Sequence, residues 1–337
     1  MVTRDEVAHE AGTSTAVVSY VINNGPRNVA EPTRQRVLAA VAKLGYRPNA
    51  VARALRSSTT RAIGLIVPDI TNPFFAELAQ AVETAAFASG NTLLLGNAMR
   101  RDDLQTRYLA AFLEHQVRGV VFIGGAEMST AGAAESLSSL AGGAVPLVFL
   151  DRRQVDVDGA TIVVDNRAGG RLATRHLLEH GHRTVLAFAG PRGLSSVAER
   201  AAGWADALIE SGLDPAQQPT CETDFDRYAS FEAATRLFAS GSSPSAIFVH
   251  SDEQSLGIVH AAATAGLRIP DDVALVSFDG IRESAICTPG LTTVQQPLAE
   301  IAAQAVALVT ASGAAISVRP DQVLPVQLVI RRSCGCG

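Results

Sequence analysis

The chain has 337 residues, 47% of them hydrophobic and 18% charged, with a net charge of −5. That length exceeds one compact core and predicts two or three domains, and so ordinary a composition excludes wholesale disorder. No segment reaches the roughly 20 uninterrupted apolar residues of a membrane span, and the charged start MVTRDEVAHE excludes a secretory signal there, so a cytoplasmic protein with no membrane partner is expected.

Thr3-Arg4-Asp5-Glu6 has the form of a capping box and opens a short helix with Val7, Ala8 and Ala11 inward. Gly12 ends that helix, and Ser14 is a second N-cap. In TAVVSYVIN, Val18, Val21 and Ile22 share one helical face, while Thr15, Ala16, Ser19, Tyr20 and Asn23 share the opposite one. A third helix, about Glu31 to Leu44, is expected to turn Val37, Leu38, Val41 and Leu44 inward and to end at Gly45. Helix, glycine-containing turn, helix and bracing helix make a helix-turn-helix unit over residues 1–46, whose second helix lies in the DNA major groove. Ser14, Thr15 and Ser19 can then approach phosphates, and Tyr20 can reach a base edge or a thymine methyl. Ala16, Asn23 and Thr33 complete this set of candidate DNA contacts.

Residues 1–61 hold nine Arg or Lys against four acids, a surplus of five that leaves ten net negative charges on the rest. A basic arm on an acidic body is the pattern of a nucleic-acid-binding head. Between the two lies YRPNAVARALRSSTTR, in which Asn49 to Leu55 has helix-forming residues but too few of them for a helix stable alone in water.

From residue 62 onward, the apolar runs AIGLIV, TLLLGN, GVVFIG, PLVFLD, TIVVD, TVLAFAG, AIFVHSD and VALVSFDG alternate with helical stretches closed by glycine. These eight units predict parallel sheets covered on both faces and divided into two Rossmann-like subdomains. Ligands of such sheets bind beyond the strands' carboxyl ends, where this chain places Asp69, Asp151, Asp165, Ser251-Asp252 and Asp279. Helix capping is the alternative for any one of these carboxylates, Asp165 above all. Phe74, Phe75 and Phe225 are candidate apolar walls.

No GxGxxG follows a strand and no Walker pattern occurs, so no cofactor is expected and catalysis is not indicated. His176, His180 and His182 cluster in RHLLEHGHR without a Cys or carboxylate at ligand spacing, and the Cys334/Cys336 tail is a lone C-x-C, so no metal is expected either. Four sparse, late cysteines fit a reduced compartment.

DEVAHEAGTSTAVVSYVINN, TRQRVLAAVAKLGYRPNAVARALR, IGLIVPDITNPFF, DNRAGGRLATRHLLEHGHR and GLTTVQQPL together resemble the LacI/GalR family of bacterial transcription regulators, over about Thr3 to Arg331. The resemblance implies an α/β chain with a helix-turn-helix head (1–46), a hinge helix and linker (47–61) and a periplasmic-binding-protein-like body (62–337). The body's N-subdomain would span about 62–162 and 293–320, its C-subdomain about 163–292 and 321–332. It further implies a homodimer on a pseudo-palindromic operator, with paired hinge helices over the minor groove. There Leu55 would wedge into a base step, with Asn49, Arg53 and Arg56 close to the duplex. Asp69, Asn72, Phe74, Phe75, Asp151, Arg200, Phe225, Ser251, Asp252 and Asp279 would contact a small-molecule effector, a sugar first and a nucleobase second. A regulator switched by a phosphorylated partner protein, and a sugar-binding protein without a DNA role, are the rival readings. This chain departs from the family at Tyr20, where many members carry an arginine, at Ala30 in place of a Ser/Thr cap, and in a longer NGPRN loop.

Overall fold

A computed structural model of the chain describes residues 2–23, 28–46, 60–124, 145–151, 158–240, 244–311 and 322–336. It forms two units, Met1–Thr60 and Arg61–Gly337. In the first, α1 (Arg4–Glu10), α2 (Thr15–Asn23) and α3 (Glu31–Leu44) surround a small core of Val7, Ala8, Ala11, Val18, Val21, Val37, Ala40 and Tyr46. The capping box is formed: the Thr3 amide donates to Glu6 Oε2 at 2.7 Å, and the Glu6 amide to Thr3 Oγ1 at 3.3 Å. Gly45, at φ 63°, ends α3 with a left-handed residue, while Ala30 supplies no side-chain cap at its start. Leu38 is 50% exposed rather than inward. The inner arc of α3 is Val37, Ala40, Val41 and Leu44, and Leu38 lies one helical step, about 100°, off it.

The second unit contains two six-stranded sheets. The first, in the order β11-β5-β4-β3-β1-β2, is parallel throughout and comprises β1 (Ala62–Val67), β2 (Thr92–Asn97), β3 (Val120–Ile123), β4 (Leu147–Leu150), β5 (Ala160–Val164) and β11 (Gln322–Leu324). The second, in the order β12-β10-β9-β8-β6-β7, comprises β6 (Val185–Ala189), β7 (Thr220–Glu222), β8 (Ala246–Val249), β9 (Ala274–Asp279), β10 (Thr292–Gln295) and β12 (Gln327–Val329). Only the β10–β12 pair is antiparallel. Helices α4 (Pro73–Ala88), α5 (Asp102–Glu114) and α11 (Leu298–Thr310) belong to the first subdomain. Helices α6 (Asn166–Glu179), α7 (Ser195–Glu210), α8 (Arg227–Ala239), α9 (Asp252–Thr264) and the short α10 (Glu283–Ile286) belong to the second.

The chain crosses between the sheets after Val164, Gln295 and Leu324, each a few residues beyond the expected crossings at 162, 292 and 320. A strand must finish its ladder before the chain can leave a sheet, so each crossing follows a strand end. The segment 321–332 therefore divides, with β11 joining the first sheet and β12 the second. Buried on both faces, β3, β4 and β8 are continuous apolar runs, and β9 is apolar apart from Ser277 and Asp279. Among the described residues, no helix is long and apolar enough to cross a membrane.

Candidate functional site

Carboxyl ends of strands from both sheets converge on one cleft. After β1, Asn72 caps α4 by accepting from the Phe74 amide at 3.0 Å, and Pro73 occupies the first turn. That cap fixes the entry of Phe74 and Phe75, whose rings meet edge to face with centroids 5.3 Å apart. Asp151 follows β4 at φ 71° and Asp279 ends β9 at φ 116°, two strained backbones at two candidate residues. Ser251 follows β8 and caps α9, accepting from the Gln254 amide at 3.2 Å. Phe225 lies between β7 and α8 and is buried.

These pieces line a small cavity of about 20 Å³, bordered by Asn72, Phe74, Phe75, Asp151, Ser196, Arg200, Phe225, Ser251 and Asp279. Ser196, at the start of α7, carries no sequence signal beyond lying one turn before Arg200. Phe75 and Phe225 also border a wider cavity of about 360 Å³, where Asp69, Arg100, Gln105 and Asp224 lie. Asp69 thus lines the outer chamber, not the inner one. Its Oδ1 accepts from the Thr71 amide at 2.9 Å and from Thr71 Oγ1 at 2.6 Å.

Arg200 is the electrostatic centre. It is 3% exposed, and its Nε donates to Asn166 Oδ1 at 2.8 Å while Nη1 donates to the His250 carbonyl. Its guanidinium carbon lies 3.7 Å from the Phe278 ring centroid, and Nη1 lies 3.6 Å from Asp279 Oδ1. Asp279 also accepts from Gln296 Nε2 at 2.9 Å. Burial pushes its pKa well above the usual carboxylate range. The Arg200 charge opposes that rise, and the nearby Asp252 and Asp151 charges add to it. Beside them His250 is wholly buried, with neither ring nitrogen partnered, and burial holds its pKa down to about 3.

Asp252 is not among the residues that line the inner cavity, and its carboxylate is held by groups of its own subdomain. Its Oδ2 accepts from the Gly280 and Ile281 amides at 2.8 and 2.9 Å, and its Oδ1 from Thr293 Oγ1 at 2.8 Å. One residue after Ser251 on α9, it is rotated to the sheet side and braces the turn behind Asp279. Burial raises its pKa to about 6. Asp165 is a helix cap, accepting from the Ala168 amide at 2.8 Å.

Arg100, which the sequence reading passed over, joins the two subdomains. Its Nη2 donates to the Phe225 carbonyl at 3.3 Å and its Nε lies 3.9 Å from Asp69 Oδ2. The Arg282 amide donates to Glu77 Oε1 at 2.8 Å, a second bond between the subdomains. On the first unit, Ser14, Thr15 and Ala16 are exposed at the start of α2. Ser19, Tyr20 and Thr33 are half-buried, and Thr33 Oγ1 accepts from Arg36 at 3.4 Å. Tyr20 is thus more covered than a freely exposed reader would be. The Asn23 side chain, Asn49, Arg53, Leu55 and Arg56 lie outside the described residues.

A three-helix DNA-binding head joined to two parallel-sheet subdomains around a charged cleft defines a ligand-responsive DNA-binding regulator. Residues 3–49 match the family of bacterial regulatory proteins, lacI family, and residues 174–334 match the periplasmic binding protein-like domain. The chain is 35% identical to catabolite control protein A of Priestia megaterium over 310 residues, covering 92% of each protein. It is 36% identical over 299 residues to the HTH-type transcriptional repressor PurR of Erwinia tasmaniensis, covering 88% of this chain and 86% of that one. The solved Lac repressor dimer bound to operator and the anti-inducer ONPF superposes with a TM-score of 0.83 at 26% identity, covering 99% of each chain. The chain belongs to the LacI family of bacterial transcription regulators. Its relatives are regulators rather than enzymes.

Proposed function

We propose that the inner cavity is the effector site of a homodimeric repressor and that its ligand is a hydroxyl-rich small molecule, a sugar or sugar derivative. The observation that carries this reading is the buried Arg200–Asp279 pair with Asp151, Ser196, Ser251 and Asn72 on the same cavity, walled by three phenylalanines. Carboxylates and a guanidinium accept from and donate to vicinal hydroxyls, and aromatic faces cover the apolar side of a pyranose ring. About 20 Å³ admits roughly one water, so a sugar enters only if the Phe75–Phe225 wall moves and joins this space to the outer chamber. Ligand binding then favours one subdomain arrangement over the other, and operator affinity follows that choice with a typical coupling of about 1–3 kcal/mol.

On DNA, paired α2 helices read two half-sites in the major groove and Leu55 wedges the minor groove between them. The protein works in the cytoplasm and performs no catalysis. The test is a thermal-shift screen of the full chain against monosaccharides, disaccharides, sugar phosphates and nucleobases. A sugar that raises the melting temperature of the wild type and not of Arg200→Ala supports the reading. A shift given only by nucleobases, or only by a phosphorylated partner protein, overturns it.

A further inference from the structure

We propose that the C-terminal tail closes a structural zinc site against the end of α6, with His176, His180, Cys334 and Cys336 as its four ligands. One donor atom from each of these residues lies within 4.8 Å of every other. His180 Nε2 is 3.1 Å from Cys336 Sγ, and Cys336 Sγ is 3.7 Å from His176 Nε2. A tetrahedral zinc ion, with bonds of about 2.3 Å to sulfur and 2.0 Å to nitrogen, needs donors roughly 3.3–3.8 Å apart. The side chains therefore need to shift by only tenths of an ångström to a little over one. Two thiolates with two imidazoles is a soft tetrahedral set that selects zinc over the hard cations.

The surroundings of the four residues are built for ligation. His176 and His180 are one helical turn apart, on one face of α6. The His180 Nδ1–H donates to the His176 carbonyl at 2.8 Å, which leaves the Nε2 lone pair facing the sulfurs. Thr292 Oγ1 accepts from the Arg331 amide at 2.9 Å, so its own hydrogen is directed at Cys334 Sγ, 3.0 Å away. That bond favours the thiolate form. Cys334 is itself placed by Ser333, whose carbonyl accepts from the Leu275 amide at 2.7 Å and whose Oγ accepts from the Thr292 amide at 2.8 Å. Gly335, at φ 93°, turns the chain between the two cysteines so that both sulfurs face the helix. A site preorganised in this way binds its metal by fixing the tail, and metal binding adds to the folding stability of the second subdomain.

The test uses full-length protein purified without a polyhistidine tag. We expect one zinc per chain by elemental analysis. Substituting cobalt(II) should give the visible d–d bands of a tetrahedral site with a thiolate charge-transfer band. In the double variant Cys336→Ser/His180→Gln, at the two ligands that are not fully buried, bound zinc should fall at least about tenfold, because half the ligand set is gone. Cys221→Ser/Cys287→Ser should retain it. Thr292→Val keeps all four ligands and should weaken zinc binding roughly tenfold in competition with a chromophoric chelator. Chelation should lower the melting temperature of the wild type and leave that of the double variant unmoved. Wild-type protein that binds neither metal, unchanged zinc in the double variant, or a Cys334–Cys336 disulfide in freshly reduced and purified protein overturns the proposal.

Discussion

Two buried aspartates 27 residues apart in the chain do opposite jobs in this cleft. Asp279 faces the cavity beside Arg200, and Asp252 braces the turn behind it. Asp279→Asn keeps the shape and leaves Arg200 with Asn166 and the His250 carbonyl as partners. It should abolish the effector's thermal shift and its effect on DNA while operator affinity stays within about threefold of wild type. Retained effector response in an operator-release assay would remove Asp279 from the site. Asp252 carries a pH signature. Between pH 3.8 and about 6 the unfolded chain releases a proton that the folded chain keeps, so stability falls as pH rises through that window. Asp252→Asn still offers an oxygen to the Gly280 and Ile281 amides but has no proton to lose. In denaturant titrations its unfolding free energy should therefore fall less steeply with pH, by about 1.4 kcal/mol per pH unit across the window. His250 titrates with the opposite sign: neutral when folded and held to about 3, it loses stability for the protein as pH falls below 6.5. The difference between variant and wild type, rather than either raw profile, isolates Asp252. Had the carboxyl been ionised when folded, the two slopes would coincide.

Among the elements, α6 and α7 set the position of Arg200. They approach so closely that a Cβ on Gly203 would lie 2.0 Å from the Arg167 carbonyl oxygen, and one on Gly170 2.2 Å from the Arg200 carbonyl oxygen. Both obstacles are backbone, so neither can swing aside. Gly203→Ala should cost about 3 kcal/mol in chemical denaturation, at the upper end for overpacking. It should also weaken effector binding, because the α7 backbone carrying Arg200 must move; an unchanged midpoint would mean the helices can slide apart freely. In α2, half-buried Tyr20 sits between core and surface. Tyr20→Ala should change the preferred half-site in a selection from random duplexes and lower the head's melting temperature slightly. The eight strands and helices α4, α6, α7 and α9 were legible as apolar runs and glycine stops, whereas α11 was not singled out. Helices α5 and α8 were not, since their exposed faces break the apolar period. Strands β7, β11 and β12 hold three residues each, too few to show any period.

For the whole molecule, the uneven charge and the cleft contacts decide how the parts communicate. With nine basic residues in the first 61, operator affinity should drop by roughly a thousandfold or more between about 50 and 200 mM salt. A shallow salt slope would mean that the head contacts few phosphates. Leu55→Ala should weaken operator binding by roughly tenfold or more with effector binding intact. The Arg100–Phe225 carbonyl and Arg282 amide–Glu77 bonds hold the subdomains together. Arg100→Ala with Glu77→Ala should change effector affinity by roughly three- to tenfold per bond lost, measured by calorimetry.

Local chemistry already specified the head, the alternating body and the cleft-facing Phe74, Phe75, Asp151, Phe225, Ser251 and Asp279, because caps, periodicity and strand ends are written within ten or twenty neighbouring residues, whereas Asn72 and Arg200 entered through the family resemblance. Leu38's exposure and the turn of Asp252 towards the sheet depended on a rotation about a helix axis that pattern alone resolves only to a face. The bridge made by Arg100, and the meeting of His180 with Cys336 across 156 residues of chain, were decided by the tertiary structure. The packing of distant segments sets which side chains share a few ångströms, and no window of sequence contains both partners.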